Sequence, residues 1–495
     1  MEKSSVEKSL AEKSFVLERY PEYRMDIGIE VHVQLNTQSK IFCSCSNALT
    51  DKQNSHICPI CAGHPGVLPV LNNQVVEFAA MAGIGTNCQI SSISQFDRKH
   101  YFYPDLPKNY QITQNNLPIC KNGYVMIRLE DGTEKKIRIN RIHIEEDAGK
   151  NSHSELTGES YVDLNRTGTP LIEIVSEPDI ENAQEAKAYL KALRLIMQYL
   201  GVSDCNMEEG SFRADTNLSV RLKTSDKLGT RCELKNINSF KFISDAIEYE
   251  AQRHIQAIQS GQRIRQETRL WDSKNRKSFP MRSKEESADY RFCPDPDLSL
   301  IEISEQTLND MKKNCPELPY DKYHRYIKEW NLSPYEADVI TSDLEFTKYF
   351  EAVMKLYPKK TAVHWFLRDV IGLVNEQKIE LASCPVTPVK LAKIVQMLDE
   401  NIINNTAAKE VFELVATTQQ EPETIVQQKG LKQIGSQDEL EKIVLTVLQE
   451  NQALIEQYKA GKQNVFGFFV GACMKATGGK GNPKILQDLL KKHLQ

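Results

Sequence analysis

Carboxylates and imidazoles recur at alternate positions in segments that lie far apart along the chain. In residues 27–35 the odd positions are apolar, while Glu30, His32 and Gln34 share the other face. His143 and Glu145 oppose Ile142 and Ile144, and Arg213, Asp215, Asn217, Ser219 and Arg221 oppose Phe212, Ala214, Leu218 and Val220. Successive side chains of a strand point to opposite faces. Each segment therefore predicts one core side and one side dressed with acids, imidazole, guanidinium and amide, a mixture that suits a concave sheet holding a cation and an anion together. Taken singly, each strand also fits an ordinary half-solvated sheet. Glu173 resists that bland reading: it interrupts the apolar run 171–175, and a carboxylate buried there needs a cation, a proton or several donors.

The most specific local motif is Cys43-Ser44-Cys45, followed after a polar loop by Cys58-Pro59-Ile60-Cys61. Two close thiolate pairs joined by such a loop match tetrahedral four-cysteine zinc, each pair supplying one edge. A closed site of this kind is structural and staples a loop poor in apolar residues. His64 is an alternative ligand, and fortuitous clustering is the competing explanation. The remaining cysteines show no ligand spacing.

Three further stretches carry polar chemistry. Residues 97–111 pack Arg98, Lys99, His100, three tyrosines, Lys108 and Asn109 into a proline-ruled loop. Such a loop can stack bases or sugars, or it can be a rigid surface turn whose rings cover the core. Residues 281–298 mix charges of both signs, so mutual pairing competes with binding. Residues 465–471 read as a loop that leads to Lys475, Gly478-Gly479-Lys480-Gly481-Asn482-Pro483 and a final amphipathic helix. The glycines and lysine invite a phosphate-loop reading, but the spacing is wrong, no hydroxyl follows and no strand precedes. A basic loop that touches a polyanion and a plain interhelix loop both remain.

These segments need elements to hold them. The chain has 495 residues, enough for several domains with a sizeable core. Its net charge of −5 argues against nucleic-acid binding through the overall field, but leaves local basic patches open. No apolar run reaches membrane-spanning length. Residues 1–25 read as a flexible tail rather than an export signal, which favours a cytoplasmic location and makes the twelve cysteines thiols or metal ligands. Short alternating segments dominate residues 26–300, with a hairpin turn at Asp131-Gly132. Amphipathic helices interrupt them over roughly 183–200, ended by Gly201, and from Phe242 to Gly261. Beyond residue 300 the strand signal stops, with helical runs at 301–314, 335–357 and 391–398. A polar break at Asn404-Asn405-Thr406 and the loop at Glu421-Pro422 lead into a tail over 406–495. The expected fold is α+β: an antiparallel-sheet cradle domain with a zinc-stapled loop over 26–300, then all-helical domains over 301–405 and 406–495.

The segments around residues 27–35, 58–69, 96–111, 143–150, 163–179, 213–221, 232–240 and 282–298 closely resemble the B subunit of aspartyl/glutamyl-tRNA amidotransferases, the GatB/GatE family. The resemblance runs from about Asp26 to the end of the chain. The E-type subunits carry an inserted domain after the equivalent of 294–298, where this chain runs straight into helices, so the B type is favoured. The resemblance implies a ligase that phosphorylates the side-chain carboxylate of Glu on tRNA(Gln), or of Asp on tRNA(Asn), with ATP and then aminates it. It implies Mg2+ held by His32, Glu145 and Glu173 with Glu30 alongside, and an ammonia passage past Lys99 and Lys108 ending near Glu145. Arg213, Asp215, Asn217 and Asn236 are phosphate or substrate contacts chosen from shared face and motif membership. The Gly/Ser-rich amidase centre of the family's glutamine-hydrolysing subunit is not found here. An amidase (A) subunit and a small linker (C) subunit are therefore expected partners in a heterotrimer, with the misacylated tRNA as substrate. Two alternatives stay open: a non-catalytic tRNA-binding scaffold, and a stand-alone ligase fed by external ammonia.

Overall fold

The computed structural model describes residues 15–154, 157–281, 289–433, 437–459 and 461–494. Residues 1–14 of the expected tail and 282–288 of the mixed-charge stretch lie outside the described residues. The chain divides into two units, Met1–Tyr320 and Asp321–Gln495.

In the described residues of the first unit the strands in chain order are β1 (Tyr23–Gln34), β2 (Gln89–Ile90), β3 (Ile93–Ser94), β4 (Asp97–His100), β5 (Tyr110–Thr113), β6 (Cys120–Arg128), β7 (Glu134–Glu146), β8 (Lys150–His153), β9 (Ser160–Asp163), β10 (Pro170–Ser176), β11 (Phe212–Leu222), β12 (Cys232–Lys235), β13 (Glu267–Asp272), β14 (Lys277–Pro280), β15 (Cys293–Pro294) and β16 (Ile301–Glu302). Nine of them form one sheet, in the order β14-β13-β12-β11-β1-β10-β7-β6-β2. Its pairs are antiparallel except β12 with β13. The central strand β1 follows the predicted alternation: Met25, Ile27, Ile29, Val31 and Val33 are buried in the main core, each contributing about 1.5–3 kcal/mol of hydrophobic stabilisation.

Four helices of this unit bury side chains in that core, α1 (Val16–Arg19), α2 (Asn73–Gly85), α3 (Ala183–Tyr199) and α4 (Phe240–Gln259), and helix Glu305–Asn314 packs Leu308 and Met311 against it. The start of α3 is set locally. The Asn182 side chain accepts from the Glu185 N–H at 2.8 Å, and the Glu185 carboxylate accepts in return from the Glu181 N–H at 2.8 Å. Such caps contribute about 1 kcal/mol. Gly201 follows at φ +69°, the left-handed conformation that ends a helix and favours glycine. Ser239 caps α4 through the Phe242 N–H at 3.1 Å. α3 packs on α4 and β6, and α4 packs on β11.

Several expected boundaries move. Part of the tail is folded: Val16 is buried, and its N–H donates to the Glu248 carboxylate on α4 at 2.8 Å. The helical run at 301–314 begins as a short strand, Ile301–Glu302, because the Ser304 cap starts the helix only at Glu305. The run at 335–357 is broken in two because the Asp343 side chain accepts from the Glu345 and Phe346 N–H groups, a capping signal inside an apolar pattern.

The second unit is helical throughout its described residues. One buried cluster runs from Tyr323 to Val426 and another from Leu440 to Leu494. Helix Asn405–Thr418, which the polar break assigns to the tail, instead gives Ala407, Val411 and Val415 to the first cluster. The expected loop at 465–471 belongs to helix Val465–Ala476; Phe469 and Cys473, one turn apart, form its buried face, and the two exposed glycines mask it in the sequence. Residues 478–482 do form a loop. Its Gly479 carbonyl accepts from the Asn404 amide at 2.7 Å, and its Gly481 carbonyl accepts from the Gln433 amide at 3.4 Å.

Candidate functional site

Strand register brings the dressed faces together. His32 on β1 lies opposite Glu173 on β10 and opposite Arg213 on β11; Glu173 in turn pairs with His143 on β7. Each imidazole reaches both carboxylates. His32 Nε2 lies 3.4 Å from Glu145 Oε1 and 3.4 Å from Glu173 Oε2. His143 Nε2 lies 3.6 Å from Glu145 Oε2 and 3.4 Å from Glu173 Oε2. Strand β5 covers one side, where the Thr113 hydroxyl donates to Glu145 at 3.3 Å.

This packing drives the titration of the group. Burial opposes charging His32, but hydrogen bonds to Glu145 and Glu173 outweigh it and raise the imidazole to about 10. His143 is raised against the same burial by Glu173 and Glu145. Burial opposes ionising Glu145, yet hydrogen bonds from His143 and His32 lower it to about 2, and Glu173 is held well below its ordinary value by the same two rings. Two carboxylates that raise both neighbouring imidazoles form a site that favours positive charge. The ligand atoms of His32, Glu145 and Glu173 lie within 4.8 Å of one another, and their hard oxygens with one imidazole fit a divalent cation.

Around this centre each cation and amide has an assigned partner. Glu30 accepts from the Asn217 amide at 2.9 Å; burial, then Glu173 and Glu233, push its carboxyl up, which suits it to hold or accept a proton. Arg213 donates to Asp147 at 2.9 Å, and Lys235 bridges Asp215 at 2.9 Å and Glu233 at 3.0 Å. Lys108 pairs with Glu146, whose carboxylate also accepts from the Ile112 N–H at 3.0 Å. Lys99 lies over the Tyr290 ring at 4.8 Å, and its neighbour Arg98 pairs with Asp295 and Asp297. Asn236 stands apart. It is exposed, at φ +65°, and its amide donates to the Trp271 carbonyl at 3.4 Å.

Sequence reasoning missed four contributors. His143 lay on the right face, but nothing in its own strand revealed that two carboxylates would flank it. Glu146 and Asp147 follow Glu145 directly, and the run of three acids was the available signal. Lys235 shares a strand face with Glu233, which alternation could have shown, but its other partner Asp215 lies on β11.

The cysteines converge as the spacing implied. Sγ atoms of Cys43, Cys45, Cys58 and Cys61 lie within 4.8 Å of one another, with Cys58 and Cys61 3.9 Å apart. Zinc–sulfur bonds of about 2.3 Å require a tetrahedral edge of about 3.8 Å, so the set fits that ion. Cys232, Glu250 and His254 also converge in full burial. There, however, Arg253 and Arg269 already engage the Glu250 carboxylate, and an added cation would meet two guanidinium groups.

Residues 25–309 match the GatB/GatE catalytic domain, and residues 348–494 match the GatB domain. The chain belongs to the GatB/GatE family. It is similar to the B subunit of the aspartyl/glutamyl-tRNA(Asn/Gln) amidotransferase of Persephonella marina, 49% identical over 95% of this chain and 100% of that protein. The protein of the same name from Geotalea daltonii is 50% identical over 96% of this chain and 100% of its own length. The GatB/GatE catalytic match spans both the carboxylate–imidazole centre and the four cysteines. Among the described residues of this family member, no helix is long and apolar enough to cross a membrane.

Proposed function

We propose that this chain is the B subunit of a cytoplasmic tRNA-dependent amidotransferase, a ligase that converts Glu-tRNA(Gln) or Asp-tRNA(Asn) to its amide with ATP. The observation that carries the reading is the pair of carboxylates, buried Glu145 and half-buried Glu173, clamped between His32 and His143 on one face of the sheet. A carboxylate is a poor acyl donor. In the first step a side-chain oxygen of the aminoacyl group attacks the γ-phosphorus of ATP, and the bond from that phosphorus to ADP breaks. In the second, ammonia attacks the acyl carbon and inorganic phosphate leaves.

His32, Glu145 and Glu173 are the residues that would hold Mg2+, which when bound neutralises phosphoryl charge. Arg213 and Lys235 present cations on the adjoining strands, available to phosphate if they exchange their carboxylate partners. Asp215 and Asn217 position Lys235 and Glu30 respectively, and Glu30 is the group suited to take the proton released as ammonia becomes an amide. Lys108, fixed by Glu146, and Lys99, resting on Tyr290, line the approach of ammonia toward Glu145. Asn236, turned to the Trp271 carbonyl, takes no part in this scheme.

Cys43, Cys45, Cys58 and Cys61 would hold Zn2+ as a structural staple. Ammonia comes from an amidase A subunit, assembled with a small C subunit. The test is to supply the assembled complex with ATP, Mg2+ and Glu-tRNA(Gln), without glutamine, and follow ADP release and a phosphorylated aminoacyl-tRNA. Both are expected. Binding of the tRNA with neither product would make the chain a scaffold.

A further inference from the structure

Lys40 is 1% exposed, as deeply buried as the core isoleucines of the sheet. Its ammonium donates to Cys61 Sγ at 3.6 Å and to the Leu164 carbonyl at 3.4 Å, and among the described residues these are its hydrogen-bond partners. No carboxylate pairs with it there. An ammonium taken out of water costs several kcal/mol unless an anion compensates it. A carbonyl does not supply that charge, and neither does a neutral thiol. A thiolate does, and four thiolates around a divalent ion carry an excess of negative charge that itself needs compensation. The Cys61 sulfur also accepts from the Cys58 N–H at 3.1 Å, so it is the sulfur toward which donors converge.

The backbone locks this arrangement in place. The Lys40 N–H donates to the Cys45 carbonyl at 3.0 Å, and the Ile41 N–H donates to the Gly168 carbonyl at 2.9 Å. Gly168, at φ +80°, lies against the lysine stem: a Cβ there would stand 3.6 Å from Lys40 Cδ and 3.8 Å from Cys61 Cβ. Two residues later begins β10, the strand that carries Glu173.

We propose that Lys40 is the built-in counter-ion of the four-cysteine metal centre, a positioning residue that holds the Cys61 thiolate and ties the centre to the segment entering β10. The inference rests on the zinc reading above. Hydrogen bonding to a metal-bound thiolate draws off its electron density, lowering both its nucleophilicity and its tendency to take a proton and dissociate.

The experiment begins with metal content of the intact protein purified without chelator, where one zinc per chain is expected. Lys40→Met should then release zinc to a colorimetric chelator at least tenfold faster than wild type, and its cysteines should be alkylated faster by iodoacetamide. Lys40→Arg, which keeps the charge, should stay within a few-fold of wild type. In cobalt-substituted protein the thiolate-to-metal charge-transfer band should move to lower energy in Lys40→Met and not in Lys40→Arg. If Lys40→Met does not fold, Lys40→Gln keeps a donor without the charge and is read the same way. Zinc-loaded variants with wild-type release rates and an unmoved band would overturn the role of Lys40 while leaving the zinc reading intact. Wild-type protein free of zinc would overturn both.

Discussion

Among the described residues of the first unit are two carboxylate–imidazole groups, one fully buried and one partly open, and they are built in opposite ways. Around Glu250 the cations are permanent. Arg253 and Arg269 engage the carboxylate, Ser278 donates to it at 2.8 Å and His254 Nε2 lies 3.2 Å away. Around Glu145 and Glu173, among the described residues, the positive charge is carried by imidazoles alone, as protons that can leave. A guanidinium never deprotonates and cannot yield its place to a metal ion, so the first group is a fixed joint between α4 and the β13–β14 edge. An imidazolium can exchange its proton for a divalent ion, so the second group is a place where a charged substrate and its metal can enter.

The comparison is tested most severely at Glu145. Glu145→Gln keeps volume and removes a charge that would hold Mg2+ beside the phosphoryl group, which should slow phosphoryl transfer on the order of a hundredfold or more, with tRNA binding and partner glutamine hydrolysis spared. The deciding assay is formation of the phosphorylated Glu-tRNA intermediate without glutamine. A wild-type rate would leave Glu145 a role in ammonia delivery only.

Glu250→Gln should invert that pattern. It leaves two guanidinium groups facing an amide and should lower the unfolding free energy by about 2 kcal/mol, with the rate of phosphoryl transfer in the folded enzyme little changed. Denaturant melts beside a single-turnover assay read the split. If the rate falls and stability does not, the fixed joint is part of the chemistry and the contrast fails.

The same residue gives the comparison a pH dependence. Burial opposes ionisation of Glu250, but hydrogen bonds to His254 and Arg253 outweigh it and lower its carboxyl to about 2 from the ordinary 4.5. A carboxyl depressed by folding contributes stability above its unfolded pKa and loses it as pH falls through the folded one. The stability gap between wild type and Glu250→Gln should therefore be full above about pH 4.5 and close as pH approaches about 2. A gap that does not change over that window would mean the charge is not what holds the joint.

The smallest effect is expected far from both groups in the chain, on the Leu440–Leu494 cluster. Replacing Lys475 and Lys484 by Ala should weaken tRNA binding modestly and reduce the salt slope by about 1 for each phosphate that no longer meets a lysine, leaving the intermediate-forming step intact once tRNA is saturating. Truncation is a poorer test than substitution, because a cut at Thr406 would remove Val411 and Val415 from the Tyr323–Val426 cluster. Unchanged affinity and slope would leave the 478–482 loop a plain interhelix connection.

Alternation alone showed which side of β1, β7 and β11 is apolar, since a period of two is written in residue types. The paired cysteines and the two long helices were equally legible, because their signals lie within a few residues. Helix Val465–Ala476 and the break at Asp343 were not, since exposed glycines and an internal cap blur local patterns that tertiary packing then resolves.

Partner choice between separate elements was beyond the sequence. Arg253, three residues on along the same helix, is a partner of Glu250 that spacing alone offers, but that Arg269 joins it while Glu145 meets His32 was decided by folding. Whether Glu146 would take Lys108 depended on how β5 packs on β7, and whether Arg213 would take Asp147 on the registers that join β7, β10, β1 and β11. Lys40 makes the point most sharply. A lysine in a polar loop reads as solvated, and only the closing of residues 164–168 over it buries the ammonium against a sulfur. Composition and periodicity determine which groups a face offers. The electrostatic role of each group is decided by how much water folding removes and by which charge it leaves within reach.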